Sequence, residues 1–194
     1  SQSSAASDVY KRQPLDLDTD VGPVINVDAR SGLEKHIERM HKEARFIARG
    51  HLPDGLENGS FLAPHIFEIP SLATLKDEEF GPILHVVRYS PQNIDKVMAE
   101  IADTGFGLTF GVHSRIEGYW LDLFRKNNVG NTYVNRNMIG AVVGVQPFGG
   151  MGLSGTGPKA GGPHYMLRFA TEKILTINTA AIGGNTELFR LIEC

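Results

Sequence analysis

Cysteine is almost absent. The 194-residue chain carries one, Cys194, at its last position. A single cysteine excludes an internal disulfide framework, which is compatible with a reducing compartment. A terminal thiol with no fixed surroundings is also a poor nucleophile. The seven histidines lack metal-site spacing: His36 and His41 are five apart, and neither HxxxH nor HExxH occurs. All seven read as surface or second-layer groups. No apolar run is long enough to span a bilayer. The net charge is −3, with acids and bases interspersed, which argues against a basic face for nucleic acid. What remains is 41% hydrophobic content over about one domain's length, enough for a folded core.

The N-terminal stretch SSAASDVYKRQ (Ser3–Gln13) has neither apolar periodicity nor a signal-peptide hydrophobic region. It resembles a translated sequencing-library adapter. Residues 1–13 are therefore set aside as non-native, and the folded region is expected over residues 14–178.

From Val21 onward strand and helix signals alternate. Asp28 reads as an N-cap, and Leu33, Ile37, Met40 and Ala44 then recur at helical spacing. Phe46–Ala48 reads as a short strand and Asp54–Ser60 as a turn cluster. Phe61–Ile69 reads as extended, with Pro64 pointing to a sheet edge or a bend. Ile83–Tyr89 is a strand. Ser90-Pro91 then opens a helix whose Ile94, Val97, Met98 and Ile101 share one face. Gly107–Ser114 is a further strand, Ser114 capping a helix with Tyr119, Trp120, Leu123 and Phe124, and Val129–Asn135 is the next. A short helix within 164–172 and a last strand, Lys173–Asn178, complete the pattern. The β-α-β-α-β order from Ile83 to Asn135 predicts an α/β domain with a largely parallel sheet. Ligand sites in such sheets gather beyond the carboxyl ends of strands.

A glycine- and proline-dense segment, Gly144–Tyr165, follows the strand ending at Asn135. Neither a helix nor a central strand tolerates that density, so it reads as a loop whose backbone closely approaches something. Gly150, Gly152 and Gly155 fit the dinucleotide fingerprint GxGxxG. The Thr156-Gly157-Pro158 that follows prevents the helix on which that motif depends. A P-loop fails because Pro158 stands where its lysine should be. Lys159 reads as a solvated loop lysine, and Gly149, Gly150, Gly155, Gly161 and Gly162 as turn-formers.

Two phrases carry a resemblance. EEFGPIL (Glu78–Leu84) is similar to the E-x-F-G-P motif of aldehyde dehydrogenases, and PFGGMGLSGTG (Pro147–Gly157) to their P-F-G-G-x-x-x-S-G motif. They stand in the family's order, and GPVI (Gly22–Ile25) also fits. The resemblance covers nearly all of Val21–Asn178. YVNRNMIGAVVGVQPFGG and SGTGPKAGGPHYMLRF narrow it to the glutamate-semialdehyde (pyrroline-5-carboxylate) dehydrogenase branch. Ile177–Phe189 resembles the tail of bifunctional members, in which this dehydrogenase is fused to an upstream flavin-dependent proline dehydrogenase. Residues 179–194 are accordingly expected to be a C-terminal extension.

The resemblance implies a C-terminal part of an aldehyde dehydrogenase-like catalytic domain using NAD. Glu78 would accept hydrogen bonds from the nicotinamide ribose hydroxyls, and Phe80 would pack beside the nicotinamide ring. Glu79 between them departs from the family, which often has an apolar residue there. The N–H groups of Gly140 and Ala141 would hold the α-carboxylate of glutamate semialdehyde, and Phe148 would lie along its aliphatic part. On composition alone Glu78-Glu79 is also an ordinary solvated pair, and Phe148 also a brace for its loop.

In this family a cysteine thiolate attacks the aldehyde, hydride passes to NAD⁺, and a glutamate activates water to hydrolyse the thioester. The motif alignment puts that cysteine before Gly22, where this sequence has none. The chain is thus expected to be inactive alone, poorly soluble, completed by upstream domains of its own polypeptide, and homo-oligomeric at full length. The strand Lys173–Asn178 would join a sheet of a neighbouring subunit or internal domain. The expected location is the bacterial cytoplasm, with the full-length fusion peripheral to the inner membrane. Two other functions stay open on the sequence: an aldehyde dehydrogenase of another substrate, and a module binding small carboxylates.

Overall fold

The computed structural model describes residues 19–56, 58–155, 157–178 and 181. The adapter-like segment 1–13, the tail beyond 178 except residue 181, and with it Cys194 lie outside the described residues.

The first half is one helix on a small sheet. Helix α1 spans Val27–Glu43 and is capped by Asn26, not Asp28: the Asn26 side chain accepts from the Ala29 N–H at 2.8 Å. Asp28 falls in the first turn, where its charge complements the helix dipole. Strands β1 (Arg45–Arg49), β2 (His65–Glu68) and β3 (Ile83–Val86) pair in that order, β1 antiparallel and β3 parallel to β2. β2 is therefore central, contrary to the edge position that Pro64 suggested. Pro64 sits just before the strand, so its missing N–H costs no ladder bond, and its carbonyl takes the Gly50 N–H at 2.8 Å. Leu33, Ile37 and Met40 of α1 close over Phe67 and, with Leu62 and Ile69, form one core. Glu68 at the end of β2 receives Arg45 from one side and the Arg88 Nε at 3.0 Å from the other, and these guanidiniums hold its carboxyl below the usual range.

The second half begins with a 3₁₀ turn, Pro91–Asn93, running into helix α2 (Ile94–Asp103). Strands β4 (Phe106–Gly107) and β5 (Thr109–Val112), helix α3 (Glu117–Lys126), strand β6 (Asn131–Val134) and strand β7 (Met151–Gly152) follow. β5 and β6 are parallel; β4 and β7 are antiparallel. Met98, Val112 and Leu123 form a second core, flanked by Tyr119 and Trp120. Ser114 does not cap α3, whose N-cap is Ile116. Its hydroxyl instead accepts from the Ile116 N–H at 3.1 Å, a turn that precedes the helix. Lys126 ties α3 to α2, reaching Asp122 and Asp95 at 2.7 Å each.

The chain is thus of the α/β class, and its two uninterrupted four-residue ladders are the parallel ones. Among the described residues the strands divide among three small sheets. Two late elements differ from expectation. The helix expected within 164–172 shrinks to a 3₁₀ turn, Met166–Phe169, and Lys173–Asn178 forms no strand. Alternation and β-branching favour extension, but a strand needs a partner for its N–H and C=O groups, and no described residue supplies one. Ile174 and Leu175 are consequently 82% and 83% exposed.

Candidate active site

The segment Leu72–Phe80 of the first half meets the end of α2 and strands β4–β5 of the second. Between them lies an open cavity of about 550 Å³, lined by Leu72, Glu78, Phe80, Phe106, Phe110 and Leu153, among others. Glu78 also borders an adjoining cavity of about 580 Å³ against Glu100 and Asp103. Phe80 is 78% exposed, a large aromatic surface that the described residues leave uncovered. Its backbone is held from behind. A Cβ added at Gly81 would stand 2.4 Å from the Leu33 side chain, so the turn presses directly on α1. The Pro82 carbonyl accepts from the His65 N–H at 3.0 Å.

The glycine loop closes another side of this cavity through Leu153 and Ser154. Ser154 Oγ accepts from the Gly107 N–H at 3.0 Å, and the Leu153 N–H donates to the Gly105 carbonyl at 2.9 Å. Asn131 grips the loop's start, donating to the Pro147 carbonyl at 2.9 Å and accepting from the Gly149 N–H at 3.3 Å. Lys159 is not solvated as expected: its Nζ donates to the Gly130 carbonyl. Gly155 lies where a Cβ would meet the Gly150 carbonyl oxygen at 2.2 Å, so these glycines allow the loop to fold on itself.

Gly140 and Ala141 lie apart, on the excursion beyond β6. Asn135, at φ 56°, turns the chain there, and its side-chain amide brackets Ser114 with two 2.9 Å hydrogen bonds. Tyr133 Oη donates to the Gly140 carbonyl at 2.8 Å, and the Val142 N–H donates to Gln146 Oε1 at 3.2 Å. Among the described residues, no acceptor takes the Gly140 or Ala141 N–H. A Cβ at Gly140 would meet nothing within 4 Å, so the fold itself does not demand glycine there. Phe148 is half-buried and pairs with Ala160 through two 3.0 Å backbone bonds. The structure therefore brings Glu78 and Phe80 together, with Leu153 and Ser154 of the glycine loop. Neither cavity that Glu78 lines includes Gly140, Ala141 or Phe148.

Behind Phe80 sits a cluster that sequence reasoning missed. His36 of α1 is 4% exposed; its Nδ1 lies 2.8 Å from Glu79 Oε1 and its Nε2 lies 2.9 Å from His85 Nε2 on β3. The acidic Glu79, out of place in its motif, was the visible signal. Burial lowers the pKa of His36, with Glu79 opposing and Arg39 reinforcing the shift; burial and then His36 and Arg39 lower that of His85. The unfolded chain thus binds protons more readily than the folded one just below the ordinary value of 6.5. The histidine contribution is full above 6.5 and is lost as pH falls toward the depressed folded values. Urea midpoints are expected to be lower at about pH 5.5 than at about pH 7.5, and His36→Gln should reduce that difference while leaving the part due to the burial of His85. Glu68, depressed from 4.5, titrates below this window.

Among the described residues, no three His, Cys, Asp or Glu side chains gather to hold a metal ion, and no helix is long and apolar enough to cross a membrane. The family model for aldehyde dehydrogenases matches residues 3–175, a span that begins inside the adapter-like segment. The bifunctional protein PutA of Klebsiella aerogenes is 47% identical over 174 residues, which cover 87% of this chain but 13% of that protein. A crystal structure of Bradyrhizobium japonicum proline utilization A superposes with a TM-score of 0.85 at 58% identity, over 91% of this chain and 18% of that one. The 1-pyrroline-5-carboxylate dehydrogenase from Thermus, solved with bound NAD, gives a TM-score of 0.75 at 34% identity, over 86% of this chain and 32% of that one. With the match running through both motif loops and both cores, the chain belongs to the aldehyde dehydrogenase family.

Proposed function

We propose that this chain is the C-terminal part of the catalytic domain of an NAD-dependent L-glutamate γ-semialdehyde (pyrroline-5-carboxylate) dehydrogenase. It would work within a longer, cytoplasmic, homo-oligomeric polypeptide that also carries a proline dehydrogenase. The carrying observation is the joint exposure of Glu78 and Phe80 on one open cavity that Leu153 and Ser154 of the glycine loop also line.

The residues present fit NAD. An exposed carboxylate suits a pair of ribose hydroxyls, because it only accepts and can accept twice. An uncovered phenyl ring beside it suits a flat aromatic cation. When bound, NAD would accept the hydride that oxidises the aldehyde carbon. Glu78 would orient the sugar, and Phe80 would limit where the ring can swing. Gly140 and Ala141 offer two N–H groups unclaimed among the described residues, which favour an anion without a side-chain charge. Phe148, fixed by its pairing to Ala160, would lie along the substrate's methylenes. The nucleophilic cysteine and the water-activating glutamate would come from sequence preceding Gly22. Exposed Ile25, Val143, Ile174 and Leu175 would be covered by that upstream part or by a second subunit.

A chimera tests this: the matching segment of the Bradyrhizobium relative is replaced by this chain. It is expected to oxidise glutamate semialdehyde with NAD⁺, whereas the isolated chain shows no turnover. Glu78→Ala should raise the KM for NAD⁺ about 10-fold or more, the loss of a charge-assisted hydrogen bond. Gly140→Val should raise the KM for the semialdehyde and leave that for NAD⁺ unchanged. A folded chimera without activity, or turnover by the isolated chain, would overturn the assignment.

A further inference from the structure

We propose that Glu79 is a positioning residue for the cofactor: anchored on His36, it fixes the backbone that presents Glu78 and Phe80. This rests on the reading of those two residues as the NAD contacts.

Exposure alternates along Glu78, Glu79 and Phe80: exposed, half-buried, exposed. That is the period of an extended chain, so the side chain pointing inward anchors the two pointing outward. The anchor is specific. The His36 side chain is 2% exposed, and its two ring nitrogens are both engaged. Glu79 can only accept, so His36 Nδ1–H donates to it, and His36 Nε2 accepts from His85 Nε2–H. The two imidazole rings stand at 88°, with centroids 5.1 Å apart, and this locks the orientation of His36. Arg39 Nη2 lies 3.2 Å from the same Nδ1, and Arg39 also donates to the Thr74 carbonyl at 2.9 Å. Arg39 therefore braces the Leu72–Thr74 turn that borders the cavity.

A second contact sits one helical turn away. Leu33 and His36 are three residues apart, hence neighbours on one face of α1. Gly81 rests on the first and Glu79 on the second. Two fixed points flank Phe80, which leaves its ring exposed but its backbone held. An apolar residue at position 79 would fill space against His36 but leave its Nδ1–H unpartnered and this register unenforced.

The test uses the active chimera. Glu79→Leu is expected to raise the KM for NAD⁺ about 5- to 30-fold, because binding must then order the segment. The KM for the semialdehyde and kcat at saturating NAD⁺ should stay within about twofold. Glu79→Gln keeps an amide oxygen for His36 and should restore the KM to within about threefold of the parent. His36→Gln is the second route if Glu79→Leu does not fold, and it should shift the same constant. An unchanged KM for NAD⁺ in both variants overturns the proposal, as does an equal loss in every kinetic constant. Glu78→Ala separates the two ideas. If it leaves the KM for NAD⁺ unchanged while Glu79→Leu raises it, the Glu78 assignment fails and Phe80 is the positioned group. If Glu78→Ala raises it and neither Glu79→Leu nor His36→Gln does, only the positioning role fails.

Discussion

Phe67→Ala is expected to cost about 3–5 kcal/mol, the largest single loss among the core positions. Phe67 is fully buried in the central strand β2, and its ring meets those of His41, Phe46 and His65 at centroid distances of 5.2, 5.8 and 6.0 Å. Removing it leaves a cavity that Met40 and Ile69, both nearly inaccessible themselves, cannot fill without opening other contacts. β2 holds β1 on one side and β3 on the other, so the loss spreads through the sheet. Amide exchange in β1–β3 should accelerate by about two to three and a half orders of magnitude, at one order per 1.4 kcal/mol. Phe67→Leu, which keeps most of the volume, should lose less than half as much. Exchange unaltered in Phe67→Ala would mean that the sheet is not organised around this ring.

Gly130→Ala should be the most damaging small change in the second half. A Cβ there would stand 1.8 Å from the Gly149 carbonyl oxygen and 2.9 Å from the Gly150 Cα, both backbone atoms that cannot rotate away. The PFGG segment must lift from β6, straining the two Asn131 bonds and the Lys159 contact to the Gly130 carbonyl. The expected cost is about 1–3 kcal/mol, the usual scale for overpacking, with new proteolytic cleavage between residues 147 and 160. Gly140→Ala is the matched control. Its added carbon meets nothing within 4 Å, so stability should change by less than about 0.5 kcal/mol. Equal tolerance of both substitutions would show that the loop does not dock on the strand start as described.

The local code was readable wherever a residue's neighbours in sequence are also its neighbours in space. Leu33, Ile37 and Met40 share one face of α1 because the helix period puts them there, and all three are buried. The cap was misplaced because helix α1 starts with Val27, 71% exposed, so the first turn carries no apolar mark of its own. Ile94, Met98 and Ile101 announced α2 in the same way. The E-x-F-G-P and PFGG motifs, and with them the family, were legible as strings. The distances between the candidate residues were not, because those depend on how far apart in space two loops emerge.

Tertiary structure decided what is set by contacts between remote segments. Lys173–Asn178 has a strand's composition and no strand, because pairing belongs to two segments and only one is present among the described residues. Pro64 marked a break in pairing but could not say on which side β2 would lie. His36, Glu79 and His85 are scattered over 50 residues, and nothing in their spacing joins them. Only the packing of α1 against β3 and the FGP turn brings them within hydrogen-bond reach. The sequence by itself determined the α/β alternation and the family, because both are written in local periodicity and short motifs. The fold alone decided which acids and imidazoles meet, because burial and hydrogen bonding act through space rather than along the chain.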